Sequence, residues 1–119
     1  MRFFLTRADR ILKRSEFIAL SKSGRKVQNQ HFIACFAPGR QSHCRLGVTV
    51  TKKVGKAVER NRIKRMVREF FRLNRHRLSG NWDINIIGKI RAAGISSEEA
   101  GQSLQDIFNR IARYEDHQK

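Results

Sequence analysis

A long helix with one apolar face and one strongly basic face is predicted over residues 57–77. At about 100° per residue, the apolar side chains fall within one arc: Ile63, Met66, Val67, Phe70 and Phe71. The opposite arc collects polar and cationic side chains: Asn61, Lys64, Arg65, Arg68, Arg72 and Arg75. One face of this helix must therefore pack on the core of a small protein, while the other meets solvent or a polyanion.

The positive charge of the chain is concentrated around this helix. Residues 45–77 hold twelve Lys and Arg side chains against Glu59 and Glu69, a local net charge of +10 out of +16 for the chain. A block of one sign repels itself, so its natural partner is a polyanion. Nucleic acid is the first candidate, because neutralising its phosphates releases counterions. Residues 78–119 are close to neutral and are expected to serve the core.

Three apolar runs predict the strands of a small sheet: residues 30–36, 45–51 and 82–90. Pro38-Gly39 closes the first strand and opens a polar loop. The second strand alternates most clearly, and its large side chains are expected in the core: Leu46, Val48 and Val50. Its small side chains share the other face: Gly47, Thr49 and Thr51. That second face leaves room for another group to approach the sheet closely.

Two further helices are predicted near the ends of the chain. Ser15 is expected to cap a short helix over residues 15–21, which Gly24 stops. Ser96, with Glu99 three residues on, predicts the capping box of a C-terminal helix. This helix is expected to be buried through Ala100, Leu104, Ile107, Phe108 and Ile111. The order of elements indicates one α/β (α+β) sandwich domain over residues 1–119, with 1–14 and 115–119 left open as flexible ends.

Several classes of protein are disfavoured by the sequence. Residues 1–5 are too short for the apolar region of a secretory signal, and no run reaches the ~20 apolar residues of a membrane span, so a cytoplasmic protein is expected. Cys35 and Cys44 do not suggest a disulfide framework. Together with His31 and His43 they lack the spacing of a zinc site, and no metal ligands are predicted. No nucleophile with a base and an orienting group is visible, which argues against protein-borne catalysis.

The core Arg60-Asn61-Arg62, with lysines before it and further arginines along the same helix, resembles the signature of the bacterial ribonuclease P protein subunit. The resemblance extends over nearly the whole chain, through Phe17, Gly24, residues 45–48, Ser103-Leu104 and Ile107-Phe108. It implies a ribosomal-protein-like fold with a left-handed βαβ crossover around the basic helix, which general handedness rules would not predict.

The resemblance also implies a function. The chain would be the protein cofactor of a ribonucleoprotein endoribonuclease that removes the 5′ leader of precursor tRNA to give the mature 5′ end. The RNA subunit would perform the hydrolysis with Mg²⁺ held mainly by RNA. The protein would assemble one-to-one with that RNA and would carry no catalytic residues of its own.

Two RNA-binding surfaces follow from the resemblance. The basic helix would contact the RNA subunit through Arg60, Asn61, Arg62, Lys64, Arg65, Arg68 and Arg72. A groove between the sheet and the first helix would bind the single-stranded leader through Phe17, Thr49, Thr51, Lys52, Lys53, Lys89 and Arg91. Both assignments are physically reasonable, because arginine forks grip phosphate at two points and an aromatic beside lysines stacks any base.

Other interpretations remain open at this point. A structural or ribosomal RNA-binding protein without a processing role would carry the same charge pattern, and a chain with its own nuclease site would cut without RNA. Phe17 could be a core residue, and Thr49 and Thr51 could be ordinary strand formers on an exposed face. Some members of that family carry additional aromatic residues in the groove, where this chain has Ser21 and Cys35. This difference predicts a smaller aromatic surface on which bases can stack.

Overall fold

The computed structural model describes residues 5–39, 42–78 and 80–117. The helices within these residues are α1 (Arg14–Ser23), α2 (Ala57–Asn74) and α3 (Ser97–His117). The strands are β1 (Arg25–Gln28), β2 (Phe32–Pro38), β3 (Arg45–Thr49) and β4 (Trp82–Gly88). Short 3-10 turns cover Arg7–Asp9, Arg75–Arg77 and Ile90–Ala92. None of the helices described here is long and apolar enough to cross a membrane.

The strands form one mixed sheet in the order β1-β2-β4-β3. β2 lies antiparallel to both of its neighbours, whereas β3 lies parallel to β4, with Leu46 opposite Ile84 and Thr49 opposite Ile87. β3 and β4 are consecutive along the chain and are connected through α2, so the three elements form the predicted βαβ unit. The α/β sandwich predicted from the sequence is therefore confirmed, while the left hand of its crossover stays a prediction.

The main core lies between one face of the sheet and the helices α2 and α3. Its fully buried side chains come from both layers: Phe32, Phe36, Ile84, Ile86, Ile63, Phe71, Leu104, Ile107 and Ile111. The predicted apolar arc of α2 is confirmed, since Val67 is buried with Ile63 and Phe71, and Met66 and Phe70 pack at the edge. Each such burial is worth about 1.5–3 kcal/mol, so the orientation of α2 is fixed and its basic face points outward.

Two predicted helix boundaries agree with the structure, and two differ. The sequence predicts that the long helix reaches residue 77, but α2 ends at Asn74 and Arg75–Arg77 form a 3-10 turn. The Ser96 hydroxyl accepts a hydrogen bond from the Glu99 backbone N–H and donates one to its carboxylate, both at 3.1 Å, so the predicted cap of α3 at Ser96 is confirmed, with Glu99 bonded to the Ser96 hydroxyl. Gly24 ends α1 as predicted. The cap predicted at Ser15 is wrong, because α1 begins one residue earlier with Lys13 in the cap position and no capping side chain. The start of α1 is therefore not set by a capping side chain.

The strands also differ from their predicted bounds. β1 is not predicted by any apolar pattern, because it is an edge strand in which Arg25, Lys26 and Gln28 are exposed. β3 and β4 each end two residues before the predicted end, although Val50 beyond β3 is still buried. The polar loop predicted after Pro38-Gly39 includes residues 40 and 41, which lie outside the described residues. Local alternation thus locates the buried strands well and the polar edge strand poorly.

The segment before α1 lies against the outer edge of β3. Ile11 is buried, and its backbone N–H donates to the carbonyl of Leu46 at 2.9 Å. Asp9 accepts hydrogen bonds from the Thr6 backbone N–H at 2.8 Å and pairs with Arg75 at 3.0 Å. These contacts attach the N-terminal segment to both β3 and the end of α2.

The ionisation of Asp9 is expected to make the stability of the fold depend on pH. Burial opposes ionisation, but the hydrogen bonds from Thr6 and the charge of Arg75 together hold the pKa of Asp9 below its ordinary value of 3.8. A carboxylate with a depressed pKa stabilises the fold above pH 3.8, and this stabilisation is lost as the pH falls through the lower folded pKa. Below pH 3.8, we expect the free energy of unfolding, measured by urea titration, to fall more steeply with decreasing pH in the parent chain than in the Asp9→Asn variant. Equal slopes would contradict this assignment.

Candidate nucleic-acid interface

The sheet face turned away from α2 and α3 is only partly covered by α1. Leu20 of α1 and Cys35 of β2 are buried at this contact, with Phe17, Ile33 and Ile87 partly buried around them. Beyond this contact lies an open groove of about 450 Å³, which we call the sheet groove. It is lined by Gln30, Ile33, Thr51, Lys53, Val54, Ile87, Gly88, Lys89, Ile90 and Arg91. The groove therefore has an apolar floor and a cationic rim.

Several residues predicted to bind a single-stranded leader come together in the sheet groove: Thr51, Lys53, Lys89 and Arg91. Lys52 is exposed between two of them. Thr49 belongs to β3, and its hydroxyl donates to the side-chain oxygen of Asn85 on the neighbouring β4 at 3.2 Å. Apart from Phe17, the residues that the resemblance groups together thus lie at or just beyond the carboxyl ends of β3 and β4.

Phe17 lies away from the sheet groove, directly against Gly47 of β3. A Cβ placed on Gly47 would be only 2.4 Å from Cε1 of Phe17, so the ring occupies the space that a larger side chain would need. The group that approaches the sheet closely at Gly47 is therefore the chain's own aromatic ring. Phe17 is partly buried in the cluster beneath α1, yet it also lines a small cavity of about 120 Å³. It is both a packing residue and a surface residue.

Arg45 joins α1 to the sheet through two carboxylates. Its Nε and Nη2 donate to the two oxygens of Asp83 at 2.9 and 2.8 Å, and Nη2 also donates to Glu16 of α1 at 2.5 Å. The hydrogen bonds to Asp83 and then to Glu16 raise the pKa of Arg45 above its ordinary value, against the effect of burial. The sequence places Arg45 among the cations available to a polyanion, but in the fold this guanidinium positions α1, and with it Phe17.

A second open surface lies on the basic face of α2. A depression of about 690 Å³, which we call the basic surface, is lined by Leu5, Arg10, Asn61, Arg65, Arg68, Glu69 and Arg72. Arg72 donates to the Glu69 carboxylate beside it. Burial and the nearby charge of Arg10 lower the pKa of Arg68 from its ordinary value. Cations held this close together favour an anion as their partner.

Arg10 is a member of the basic surface that the sequence does not reveal. It lies in the N-terminal segment, 55 to 62 residues before the α2 arginines that line this surface, and no helical periodicity connects it with them. It reaches the surface because the backbone at Arg10 forms a parallel bridge with Leu46 at the edge of β3. The only signal in the sequence is the general excess of basic residues before α1.

The Arg60-Asn61-Arg62 motif is divided among different environments. Asn61 lines the basic surface, whereas Arg62 donates to the Ile95 carbonyl before α3 at 2.7 Å and pairs with Glu59 at 2.9 Å. Arg60 is partly buried, and its Nε atom has no hydrogen-bond partner among the described residues. Lys64 is half-buried on α2 and does not line the depression. The motif residues therefore do not share one surface in this structure.

Arg62→Ala is expected to destabilise the fold more than Arg65→Ala does. The change removes the charged donor that bonds the Ile95 carbonyl. The Glu59 carboxylate, which accepts a hydrogen bond from the Gly94 N–H at 3.0 Å, is left to hold this segment against α2. Losing the bond to Ile95 costs about 1 kcal/mol. Arg65 is exposed, and its removal is expected to stay within about 0.5 kcal/mol. Urea denaturation of the two variants measures this difference, and equal midpoints would refute it.

Three of the four side chains considered as zinc ligands have hydrogen-bond partners, and the fourth is a buried thiol. The Nδ1 atom of His31 lies 3.0 Å from the Ser103 hydroxyl, and Nε2 of His43 lies 2.8 Å from the Ala8 carbonyl. The thiol of Cys44 donates to a backbone carbonyl, and burial raises the pKa of the Cys35 thiol. Across the described ranges, no group of three or more His, Cys, Asp or Glu side chains is suited to hold a metal ion.

Comparisons with known proteins agree over nearly the full length of the chain. The family model described as Ribonuclease P matches residues 5–112. The ribonuclease P protein component of Desulfatibacillum aliphaticivorans is 51% identical over 97% of this chain and 98% of that protein. The RNase P protein of Staphylococcus aureus superposes with a TM-score of 0.82 at 33% identity, over 87% of this chain and 94% of that one. For the Thermotoga maritima RNase P protein the TM-score is 0.77 at 30% identity, over 87% and 96% of the two chains.

Proposed function

Because this chain belongs to the ribonuclease P protein family and is the protein subunit of that endoribonuclease, we propose that its two surfaces bind different RNAs. The basic surface binds the RNA subunit of ribonuclease P. The sheet groove binds the single-stranded 5′ leader of precursor tRNA. The protein thereby holds the leader beside the RNA subunit while the leader is removed.

The basic surface supports the first assignment through its geometry and charge. Arg65, Arg68 and Arg72 follow one another at intervals of three and four residues, so they lie on one face of α2 at steps of about one 5.4 Å turn. Arg10 adds a guanidinium from a separate element. A row of forked donors of this kind matches phosphates along an RNA backbone without reading bases. Arg60, Arg62 and Lys64 stay predicted RNA contacts that flank this surface.

The sheet groove supports the second assignment through its apolar floor. Ile33 and Ile87 present apolar surface to the groove, and Lys53, Lys89 and Arg91 place cations around it. Unpaired bases gain from apolar and aromatic contact whatever their identity, while their phosphates seek the cations. A duplex would hide its base faces and gain little here. This combination is the observation that carries the proposal, since leaders differ in sequence from one precursor to another.

The path of the leader extends from the sheet groove towards Phe17 in this proposal. Gly47 and Thr49 share one face of β3, and Thr51 follows two residues beyond the end of that strand. A single strand lying along this face would meet the Phe17 ring at one end and the Lys89 ammonium at the other. Thr49 lies between them with its hydroxyl facing Asn85.

The hydrolysis is assigned to the RNA subunit, with Mg²⁺ bound mainly by RNA. Neither surface fits a divalent cation, because the charged side chains that line them are cationic apart from Glu69, which is paired with Arg72. The contact of Ser103 with His31 does not form an activated nucleophile either, since the Ser103 hydroxyl donates to the side-chain oxygen of Asn29. The role of the protein is to bind and orient RNA.

Cleavage of precursor tRNA at low magnesium tests this function directly. We expect the RNA subunit alone to need far more Mg²⁺ than the assembled holoenzyme, because the net charge of +16 on the chain reduces repulsion between phosphates. Titrating the chain into the RNA subunit should raise the cleavage rate until one chain is present per RNA. Unchanged cleavage with and without the chain would refute the cofactor role, and cleavage by the RNA-free chain would show that it has its own nuclease site.

A purely structural or ribosomal RNA-binding role is not favoured. The Ribonuclease P family model covers residues 5–112, and that match includes both proposed surfaces. Recovery of RNA from the chain isolated from cells separates the two functions, since a ribosomal protein would retain ribosomal RNA as its main partner.

A further inference from the structure

The turn between β1 and β2 is locked onto α3 by the side chain of Asn29. Its oxygen accepts hydrogen bonds from the backbone N–H groups of His31 and Phe32, both at 3.0 Å, and from the Ser103 hydroxyl at 3.1 Å. Its amide nitrogen donates to the Ser103 carbonyl at 2.9 Å and to Asp106 at 3.1 Å. Every hydrogen-bonding group of the Asn29 amide therefore has a partner. The amide orientation is also fixed, because a backbone N–H can only donate.

His31 closes the same network from the other side of the turn. The Ser103 hydroxyl has a single hydrogen, which it gives to Asn29. The His31 Nδ1 atom lies 3.0 Å from that hydroxyl oxygen, so His31 must carry the proton of this second hydrogen bond on Nδ1. Ser103 itself is only 8% exposed. The turn and the helix are thus joined by a closed and largely buried set of bonds.

Lys89 of the sheet groove is attached to this turn at both its backbone and its side chain. The Lys89 backbone N–H donates to the His31 carbonyl at 2.9 Å, and its Nζ donates to the Asn29 carbonyl at 2.7 Å. A free lysine samples many rotamers and loses that freedom on binding a ligand. The carbonyl of Asn29 occupies one of the three ammonium hydrogens, which leaves two for a phosphate.

We propose that Asn29 and Ser103 are positioning residues that hold the Lys89 ammonium at the sheet groove and so strengthen binding of the 5′ leader. This inference rests on the proposed function of the groove. Neither Asn29 nor Ser103 lines the sheet groove, so both act through Lys89. α3, which the sequence presents as a core helix, thereby contributes to RNA recognition from the far side of the turn.

The test compares the binding of precursor and mature tRNA by holoenzymes assembled with Ser103→Ala, Lys89→Met and the double variant. Ser103→Ala removes one hydroxyl and leaves Asn29 with both backbone donors, so we expect the fold to be retained, which urea titration checks. We expect the preference for precursor to fall about threefold in Ser103→Ala and about tenfold in Lys89→Met. The double variant should lose no more than Lys89→Met alone, because groups in one network are not additive. Affinity for the RNA subunit and for mature tRNA should not change.

Two further variants complete the design. Asn29→Ala removes the anchor itself and should lower the preference for precursor more than Ser103→Ala does. Gln102→Ala, at the exposed neighbour of Ser103 on α3, is the matched control and should match the parent chain. If Lys89→Met leaves the preference unchanged, the proposed groove function fails together with the inference. If Lys89→Met lowers the preference for precursor but Asn29→Ala and Ser103→Ala do not, only the positioning inference is overturned. The same holds if the effects of Asn29→Ala and Ser103→Ala add fully to that of Lys89→Met.

Discussion

Replacing Gly47 with alanine is expected to displace Phe17 from β3 and to lower both the stability of the fold and the preference for precursor tRNA. The new methyl group would lie 2.4 Å from Cε1 of Phe17, far inside van der Waals contact. Because the ring belongs to the cluster with Leu20 and Cys35, its displacement disturbs the packing of α1 on the sheet. Overpacking of this kind costs about 1–3 kcal/mol, which urea denaturation measures.

Two comparisons make the Gly47→Ala result specific. Gly101 of α3 has no atom within 4 Å of an added Cβ, so Gly101→Ala should stabilise the helix by up to about 1 kcal/mol. Phe17→Ala removes the ring instead of displacing it. It should reduce the preference for precursor tRNA while leaving assembly with the RNA subunit intact. A Gly47→Ala chain as stable as its parent would show that the contact between Phe17 and β3 does not hold α1 in place.

Changing Arg65, Arg68 and Arg72 together to alanine is expected to weaken binding to the RNA subunit and to flatten its salt dependence. Each lost phosphate contact removes about 0.7–0.9 from the slope of log affinity against log salt, so the triple variant should lose about 2–3 in slope. The triple change also leaves the exposed Glu69 carboxylate without its Arg72 partner, which adds local repulsion of phosphate. Filter binding over a range of salt concentrations measures the slope.

A charge-matched control separates the basic surface from net charge. Lys22, Lys26 and Arg113 are exposed on α1, β1 and α3, and changing all three to alanine removes the same total charge. We expect this control to keep most of the parent slope for the RNA subunit. If both triple variants lose the same slope, binding follows the overall charge of the chain and the basic surface has no special role.

Helical periodicity predicts α2 and both of its faces, because the burial pattern of a helix repeats every 3.6 residues in the local sequence. Ile63 and Phe71 are buried, and Arg65, Arg68 and Arg72 line the basic surface on the other side. The cap of α3 is equally local, since Ser96 and Glu99 are three residues apart. The resemblance adds the sheet face on which Thr51, Lys53 and Lys89 meet.

Contacts between distant parts of the chain decide the rest of the candidate site. Arg45 pairs with Glu16 and Asp83, which are 29 and 38 residues away in the sequence, and Asn29 bonds to Ser103 at a separation of 74 residues. No local pattern distinguishes such side chains from solvated ones.

The sequence alone predicts the apolar faces of α2 and α3 and the region where the positive charge collects. Which of those charges remain available to RNA depends on contacts that form only in the folded chain. Arg45 and Arg62 are held by carboxylates or carbonyls of other elements, whereas Arg10 joins the arginines of α2. The reason is physical: hydrophobic periodicity is a property of neighbouring residues, but the partner of a polar group depends on how the strands and helices are ordered in space.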